Sequence, residues 1–512
     1  MAADSLTDSE VATHNNAESC WVIVHGKAYD MTDFLPDHPG GQQSILKYAG
    51  KDATAAYDPI HPAGTLDKHL DQKKHLGPVV QSNATETSIP SQQGRPSTEE
   101  QPLVKVDRVQ LMKKEVQHPP QPANKPPLSH CLNLFDFESV ARQVLNPTSW
   151  AYFSSAADDE ITLQENHRAF HRVWFRPRVL VNVKQVDVST TLLGTQSSLP
   201  FYITATALNK LAHPEGEVAF TRAAGTHNII HMIPTLSSCS FDEIVDARRD
   251  ENQVHWMQLY VNEDREVTKE IVQRAELRGC KGLFITVDNP QVGRREKDLR
   301  ARQLEASQNG EEWHPEVYQG TSTFLDSTLS WDDIPWFKSI TNMPIVLKGV
   351  QSVEDVLKAV EHGVAGVVLS NHGGRQLEFA RSSLEVLAET MPVLRERGLQ
   401  DKIEVFVDGG VRRGTDVIKA LCLGARGVGI GRGLLYPLGA YGQPGVERAI
   451  ELLRIEIERG LRLLGVRSVS ELHAGLLTAE SLLKHSGYHV DGPAEATYEA
   501  LKVVAPGGKS RL

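Results

Sequence analysis

Cysteine is scarce in this sequence. The chain of 512 residues contains five cysteines, and none of them belongs to a C-x-x-C or C-x-x-C-H motif. An odd number of widely spaced cysteines argues against a disulfide framework, and the missing C-x-x-C-H motif argues against covalently attached heme. The five cysteines are Cys20, Cys131, Cys239, Cys280 and Cys422.

Long apolar runs and excess positive charge are also missing. The sequence has no stretch of about 18 consecutive apolar residues, the approximate length that a membrane-spanning helix requires. Lys and Arg number 54 against 65 Asp and Glu, so the formal net charge is −11. This acidic balance argues against nucleic acid as the main partner. It is compatible with a basic protein partner, or with a small anion held at a local positive site.

The two ends of the chain bear on its location. The first twenty residues contain four acidic residues and no Lys or Arg, so they do not have the composition of a secretory or mitochondrial leader. The last three residues, Ser510-Arg511-Leu512, differ by one conservative step from the peroxisomal tripeptide Ser-Lys-Leu. Both features favour a peroxisomal or cytoplasmic location.

A polar segment divides the chain. Residues 80–128 are rich in Pro, Gln and Ser, as in SNATETSIPSQQGRPSTEEQP, and cannot bury enough apolar surface to fold alone. We therefore predict a small domain over 1–79, a linker over 80–128, a large domain over 129–490 and a tail over 491–512. Within the linker, residues 104–117 carry apolar side chains at helical spacing, which predicts one short helix.

The large domain repeats one pattern eight times. Short apolar runs alternate with helix-like stretches such as REVTKEIVQRAELRG and SVEDVLKAVEHG, which end at glycine. Eight such units predict an α/β fold of the (β/α)8 TIM barrel type. The alternative is an open doubly wound sheet, but no G-x-G-x-x-G motif follows the first run. The predicted strands lie within 199–207, 229–236, 255–261, 282–288, 344–350, 366–372, 404–410 and 427–433.

Residues 300–325 interrupt this pattern after the fourth run. The stretch reads RARQLEASQNGEEWHPEVYQGTSTF, without the alternation of the neighbouring units. Long insertions of this kind are often functional loops at the active face. We therefore predict a mobile loop over the mouth of the barrel.

Polar side chains follow the apolar runs, at the end of a barrel where reactive groups collect. Glycine-rich turns follow the last two runs, DGGVRRG at 408–414 and GIGRG at 429–433, and each carries an arginine, Arg412 or Arg432. Glycine lets backbone N–H groups approach a phosphate and arginine supplies charge, so a phosphate-bearing ligand is predicted there. Six of the eight runs carry such a polar residue at or near their end: Thr206, Tyr260, Asp288, Lys348, His372 and Asp408.

The motif SNHGGRQLEF at 370–379 places His372 three residues before Arg375. Histidine is a natural general base near neutral pH, and the arginine fork suits a carboxylate. The pair predicts removal of a proton from a small carboxylic acid.

The large domain resembles a known family. Residues 129–470 are similar to the FMN-dependent enzymes that oxidise L-2-hydroxy acids, through AYFSSAADDE, RPRVL, AHPEGE, QLYV, TVDNPQVGRREKD, VLKGV, SNHGGRQLEF and DGGVRRGTDV. Two positions depart from the pattern of many members, Ala156 in place of Gly and Phe153 in place of Tyr. Neither departure removes a catalytic group.

The resemblance implies a role for each site residue. His372 would be the base, Asp288 would orient it and stabilise its imidazolium, and Tyr260 would bond the substrate hydroxyl. Arg375 would bind the substrate carboxylate with help from Arg295 and Tyr152. Lys348 would lie by N1 and the C2 carbonyl of the flavin. The residues implied at the flavin ring are Ala205, Thr206, Ala207, Ser237, Gln258 and Thr286, and those implied at the ribityl phosphate are Asp408, Gly409, Gly410, Arg412, Gly431 and Arg432. Ala207 and Leu236 fall at the implied pocket for the substrate side chain, which favours a short one.

The first eighty residues resemble the cytochrome b5 heme domain, a small α+β fold. The similarity lies in WVIVHGKAYDMTDF, in the His-Pro-Gly-Gly turn of FLPDHPGGQQ at 34–43, and in KDATAAYDPIHPAGTLDKHL. It implies that His38 and His61 are the two axial ligands of heme b, with both axial positions filled and the iron suited to electron transfer. A zinc site is the alternative for this pair, but no cysteine or further histidine falls at zinc spacing.

A heme domain, a linker and an FMN barrel in one chain resemble the cytochrome-linked L-lactate dehydrogenases. The resemblance implies oxidation of a short L-2-hydroxy acid such as L-lactate, one-electron transfer through heme b to an acceptor such as cytochrome c, a homotetramer, and the mitochondrial intermembrane space. A peroxisomal 2-hydroxy acid oxidase that uses oxygen is the alternative enzyme. An electron-relay module without catalysis is the third hypothesis, and the presence of every implied catalytic group disfavours it.

Overall fold

The computed structural model describes residues 6–35, 45–46, 48–57, 66, 70–80, 125–310 and 325–484. The chain divides into two compact units, Met1–Val116 and Gln117–Leu512. The linker helix predicted at 104–117 and the tail predicted at 491–512 lie outside the described residues, and the predicted domain boundaries stay predictions. None of the described helices has the length and apolar character that a membrane crossing requires.

The first unit contains a mixed sheet with short helices. Strand β1 pairs in parallel with β6, the pairs β2–β3, β3–β4 and β4–β6 are antiparallel, and β5 joins β3 in parallel. Buried side chains such as Val22, Val24 and Leu35 form its core. This architecture confirms the predicted α+β class. Its described elements are β1 (Leu6–Thr7), α1 (Asp8–Val11), β2 (Asn15–Asn16), β3 (Ser19–Val24), β4 (Lys27–Asp30), β5 (Lys51–Asp52), α2 (Thr54–Tyr57) and β6 (His75–Val80).

The second unit is a closed barrel of eight parallel strands, β10 to β17, and confirms the predicted TIM barrel. The strands are β10 (Phe201–Ile203), β11 (His231–Ile233), β12 (His255–Leu259), β13 (Leu283–Thr286), β14 (Ile345–Val350), β15 (Gly366–Leu369), β16 (Glu404–Asp408) and β17 (Gly427–Ile430). Each one falls inside a predicted apolar run. Large side chains fill the barrel interior, among them Tyr202, Trp256, Phe284 and Phe406.

Helices follow the strands around the outside of the barrel. Their first turns are fixed by polar caps, since Asp264 accepts a hydrogen bond at the start of α8 and Ser352 does so at the start of α11. The helices of this unit are α3 (Leu134–Val144), α4 (Pro147–Ser154), α5 (Ile161–His171), α6 (Gly216–His227), α7 (Phe241–Asp246), α8 (Arg265–Leu277), α9 (Glu296–Gln308), α10 (Ile334–Ile340), α11 (Val353–Glu361), α12 (Ser383–Glu396), α13 (Gly414–Leu423) and α14 (Arg432–Leu464). Its minor strands are β7 (Trp174–Phe175), β8 (Thr190–Leu192), β9 (Thr195–Ser197) and β18 (Leu477–Thr478).

The prediction of a loop over 300–325 is wrong for residues 300–308, which are helical. Helix α9 covers Glu296–Gln308, and residues 311–324 lie outside the described range. The helix is rich in good helix formers and is supported by an Asp298–Arg302 ion pair one turn apart. It escaped prediction because its surface is charged nearly all round, so apolar periodicity gave no signal.

Candidate active site

His372 lies at the carboxyl end of the barrel, in a turn directly after β15. Its Nδ1 is 2.9 Å from Oδ1 of Asp288, and its Nε2 is 3.2 Å from the hydroxyl of Tyr260. The Asp288 side chain is 0% exposed, whereas the His372 side chain keeps 17% of its surface accessible. When Nδ1 donates to the carboxylate, the lone pair of Nε2 points toward Tyr260 and the barrel mouth, where a base can receive a proton.

Burial and charge set the protonation states of this trio. Burial lowers the pKa of His372, and the neighbouring Asp288 carboxylate offsets this only in part. Burial alone would raise the pKa of Asp288, but His372 and Lys348 lower it below its ordinary value. Burial raises the pKa of Tyr260 to about 12. At neutral pH the site therefore holds a neutral imidazole, a carboxylate and a neutral phenol.

Two arginines give the mouth a positive corner. A terminal nitrogen of Arg375 donates to the backbone carbonyls of Tyr152 at 2.8 Å and Ser155 at 3.1 Å, and its guanidinium lies 5.2 Å from the Tyr152 ring centroid. Burial and the charge of Arg375 lower the pKa of Arg295 to about 10. The buried Nε of Arg295 has no hydrogen-bond partner among the described residues. A small carboxylate would relieve this repulsion and supply an acceptor.

Lys348 is buried on β14 and forms an ion pair at the barrel mouth. Its Nζ lies 3.1 Å from Oδ2 of Asp408 and 3.4 Å from Oγ of Ser370. Burial alone would lower the pKa of Lys348, but the charges of Asp408 and Asp288 outweigh it and raise the pKa. The ammonium is therefore held charged. A positive charge at this point would favour a bound group that gains negative charge on accepting electrons.

The residues predicted at a flavin ring surround the same mouth. Nε2 of Gln258 donates to Thr286 at 2.9 Å, and Thr206 donates to Asn209 at 3.0 Å. Ser237 is engaged in its own loop, where its hydroxyl donates to the carbonyl of Cys239 at 2.8 Å. Ala205 and Ala207 are partly buried in the loop after β10.

The predicted phosphate turn has suitable backbone geometry. Gly409 and Gly410 have φ values of 94° and 78°, in the left-handed region that favours glycine. Arg412 lies 2.9 Å from Glu138, yet that terminal nitrogen has no aligned hydrogen bond among the described residues. Gly431 begins α14.

Arg432 was predicted to contact a phosphate, but in the structure it bonds backbone carbonyls. Its three guanidinium nitrogens donate to the backbone carbonyls of Phe153, Gly373 and Ser155, at 2.9, 2.8 and 2.8 Å. It thus joins the C-terminal end of α4 to the His372 turn. Its contact with a phosphate stays a prediction.

The donor set fits a bound flavin mononucleotide. A glycine turn with an incompletely bonded arginine suits its phosphate, and a buried lysine suits the electron-accepting end of its ring. The hydroxyl of Thr204 is buried without a hydrogen-bond partner among the described residues, which leaves it free to bond a ligand. The predicted heme ligands, His38 and His61, lie outside the described residues.

Sequence reasoning missed three amide side chains that organise the site. Nε2 of Gln376 donates to the Asp288 carbonyl at 2.8 Å and its Oε1 accepts from Gly293 at 3.1 Å, which fastens the loop after β13 to the His372 turn. Asn166 and Asn371 form a buried pair below the same turn. Gln376 and Asn371 belong to the SNHGGRQLEF motif and could have been noticed there, whereas Asn166 carries no local signal.

Comparison with known proteins identifies the two parts of the chain. A model of the FMN-dependent dehydrogenase family matches residues 141–479, and a model of the cytochrome b5-like heme/steroid binding domain matches residues 7–80. Two relatives named L-lactate dehydrogenase (cytochrome) match nearly the whole chain. The one from Wickerhamomyces anomalus is 53% identical over 484 residues, which is 93% of this chain and 80% of the relative. The one from Saccharomyces cerevisiae is 47% identical over 492 residues, which is 94% of this chain and 81% of the relative.

A solved structure agrees with this assignment. The flavin-binding domain of baker's yeast flavocytochrome b2 is 50% identical, has a TM-score of 0.66, and covers 74% of this chain and 95% of that one. A further relative found by sequence, a peroxisomal (S)-2-hydroxyacid oxidase of Arabidopsis thaliana, is 41% identical over 369 residues, which is 70% of this chain and 99% of the relative. FMN and heme are thus the cofactors of the two parts. The chain belongs to the FMN-dependent dehydrogenase family, and it joins that family's catalytic barrel to a cytochrome b5-like heme domain.

Proposed function

We propose that this protein oxidises L-lactate to pyruvate and passes the electrons through heme b to cytochrome c. The main support is the hydrogen-bonded group of His372, Asp288 and Tyr260, which lies beside the positive corner formed by Arg375 and Arg295. FMN, when bound, accepts the two electrons of this oxidation, and heme b passes them on singly. The names of the two relatives with a cytochrome acceptor support the same assignment.

Each site residue of the barrel would have a distinct role in this reaction. Arg375 and Arg295 bind the substrate carboxylate, because a carboxylate neutralises their mutual repulsion. Tyr260, neutral with a pKa of about 12, hydrogen-bonds the substrate hydroxyl. The oxidation releases two protons with its two electrons. Nε2 of His372 accepts one of them, and the Asp288 carboxylate stabilises the resulting imidazolium.

The side-chain pocket favours a short substrate. The backbone N–H of Leu208 donates to the carbonyl of Leu236 at 3.0 Å, which draws together the loops that carry Ala207 and Leu236. A methyl group fits between a small and a medium side chain, whereas a bulkier substituent would displace Leu236. Lactate is therefore preferred over longer or aromatic 2-hydroxy acids. The protein would work as a homotetramer.

One experiment tests the substrate and the acceptor together. The purified full-length protein is mixed anaerobically in a stopped-flow instrument with a panel of L-2-hydroxy acids, and the reduced enzyme is then mixed with cytochrome c or oxygen. We expect flavin reduction to be fastest with L-lactate, heme reduction to follow it, and cytochrome c to be reduced faster than oxygen. A protein without heme absorbance, or one that no short hydroxy acid reduces, would contradict the proposal. Faster reoxidation by oxygen would instead identify a 2-hydroxy acid oxidase.

A further inference from the structure

The turn that carries His372 has an unusual backbone. Three successive residues are left-handed, with φ values of 57° at His372, 65° at Gly373 and 80° at Gly374. Glycine adopts this conformation readily, but for a residue with a Cβ atom it costs roughly 1–2 kcal/mol. The surrounding structure must therefore hold His372 in place.

Asn371 supplies direct bonds to this turn. Its Oδ1 accepts from the backbone N–H of Gly374 at 3.0 Å, and its Nδ2 donates to the backbone carbonyl of Arg381 at 2.9 Å. These two backbone groups fix which end of the amide is oxygen and which is nitrogen, because an N–H needs an acceptor and a carbonyl needs a donor. The Asn371 side chain therefore has one orientation.

Asn166, on α5, completes the hydrogen bonding of Asn371. Its Nδ2 donates to Oδ1 of Asn371 at 2.8 Å, and its Oδ1 accepts from Nδ2 of Asn371 at 2.7 Å. Both residues are only 2% exposed. A reciprocal amide pair shielded from water is costly to break, because each broken bond leaves a buried polar atom unsatisfied.

The same stretch of α5 also touches the predicted phosphate turn. A Cβ atom on Gly410 would lie 2.0 Å from the backbone oxygen of Asn166, so the two segments pack in direct contact. Nδ1 of His167 lies 2.9 Å from the carbonyl oxygen of Gly410. Helix α5 therefore contacts both the turn of the proposed base and the turn of the predicted cofactor phosphate.

We propose that Asn166 and Asn371 are positioning residues, whose amide pair holds the left-handed His372 turn in register with the Gly409–Gly410 turn. The inference rests on the proposed function, in which His372 is the base. Neither asparagine reaches the barrel mouth as a reacting group. Their effect passes through the backbone of His372, so they should influence the chemical step more than substrate binding.

The test uses the full-length protein with both cofactors, and normalises rates to bound flavin. For Asn166→Ala we expect kcat of flavin reduction by L-lactate to fall roughly 10- to 100-fold, the range that a small misplacement of a reacting group produces. KM should change less than about threefold, because the arginine corner is untouched. Asn166→Asp keeps the shape but loses the donor, so it should show the same fall and serves if the alanine variant folds poorly. Combining Asn166→Ala with Asn371→Ala should reduce kcat no further than Asn371→Ala alone.

Two further variants separate the outcomes. Asn133→Ala removes the helix cap of α3, a change that destabilises by about 1 kcal/mol but does not contact the His372 turn. It should lower the melting temperature and leave kcat per bound flavin unchanged. If both Asn166 variants behave like Asn133→Ala, the pair is merely structural and the inference is wrong. His372→Gln tests the proposed function itself: if it still reduces flavin normally, that function fails, whereas its inactivity beside active Asn166 variants refutes only the inference.

Discussion

Replacing Asp288 by Asn should slow flavin reduction strongly without weakening substrate binding. The change keeps the shape of the side chain and an oxygen that can accept from Nδ1 of His372, 2.9 Å away. It removes the negative charge of a side chain that is 0% exposed. The imidazolium that would form on His372, the proposed base, then loses its nearest counter-charge.

The size of the effect follows from Coulomb's law. Both charges are delocalised, so about 4 Å is a fair separation, and two unit charges there interact by about 4 kcal/mol at an effective dielectric constant of 20. If half or more of the positive charge has formed in the transition state, the loss is about 2–4 kcal/mol, or roughly 30- to 1,000-fold in rate. KM for L-lactate should change less than about threefold, since Arg375 and Arg295 keep their charges.

The pH profile gives a second, independent sign. A histidine acts as a base only when neutral, so with His372 as the proposed base the rate should rise as pH increases through its pKa. Burial lowers this pKa and Asp288 partly restores it, so Asp288→Asn should lower the pKa further. The acid limb of the profile then moves to lower pH while the plateau falls.

The assay is anaerobic stopped-flow reduction of the flavin by L-lactate across pH, with rates normalised to bound flavin. Asp242→Asn is the matched control, because it removes an ion-paired carboxylate on α7, outside the barrel. A plateau rate within threefold of the unmodified enzyme, or an acid limb that moves to higher pH, would refute the proposed electrostatic role of Asp288.

Two stability predictions accompany it. Lys348→Met leaves the Asp408 carboxylate buried without its cation, so urea unfolding should show a free energy of unfolding lower by about 3–5 kcal/mol. A second change, Asp408→Asn, should recover part of this loss. A loss below about 1 kcal/mol would contradict the pairing. His255 is buried on β12, and burial lowers its pKa from 6.5 to about 3. The unfolded chain therefore binds a proton more readily, and the stabilisation from neutral His255 is present above pH 6.5 and lost as pH falls toward about 3. His255→Gln should make the melting temperature less sensitive to acid, and an unchanged slope between about pH 7 and pH 5 would refute this.

The order of strands and helices was predictable because it follows from local sequence patterns. Buried parallel strands need near-continuous apolar runs, and the crossover helices between them end at glycine, so eight repeats could be read directly. The polar residues that follow those runs were predictable as a group for the same reason, since all the strands of a parallel barrel end at one face. Helix α9 was missed because an exposed, charged helix carries no such pattern.

The partners of the site residues could not be read from the sequence. It placed His372 and Arg375 in one motif, but nothing in it pairs Asn166 with Asn371 or directs Arg432 to the carbonyls of residues 153–155. Such contacts join segments hundreds of residues apart, and they depend on how whole elements pack and not on spacing along the chain. The sequence by itself determined the strand order and the cofactor classes, and it predicted the reacting groups. Only the tertiary structure decided how those groups are oriented and charged, because burial and long-range hydrogen bonds arise when the barrel closes.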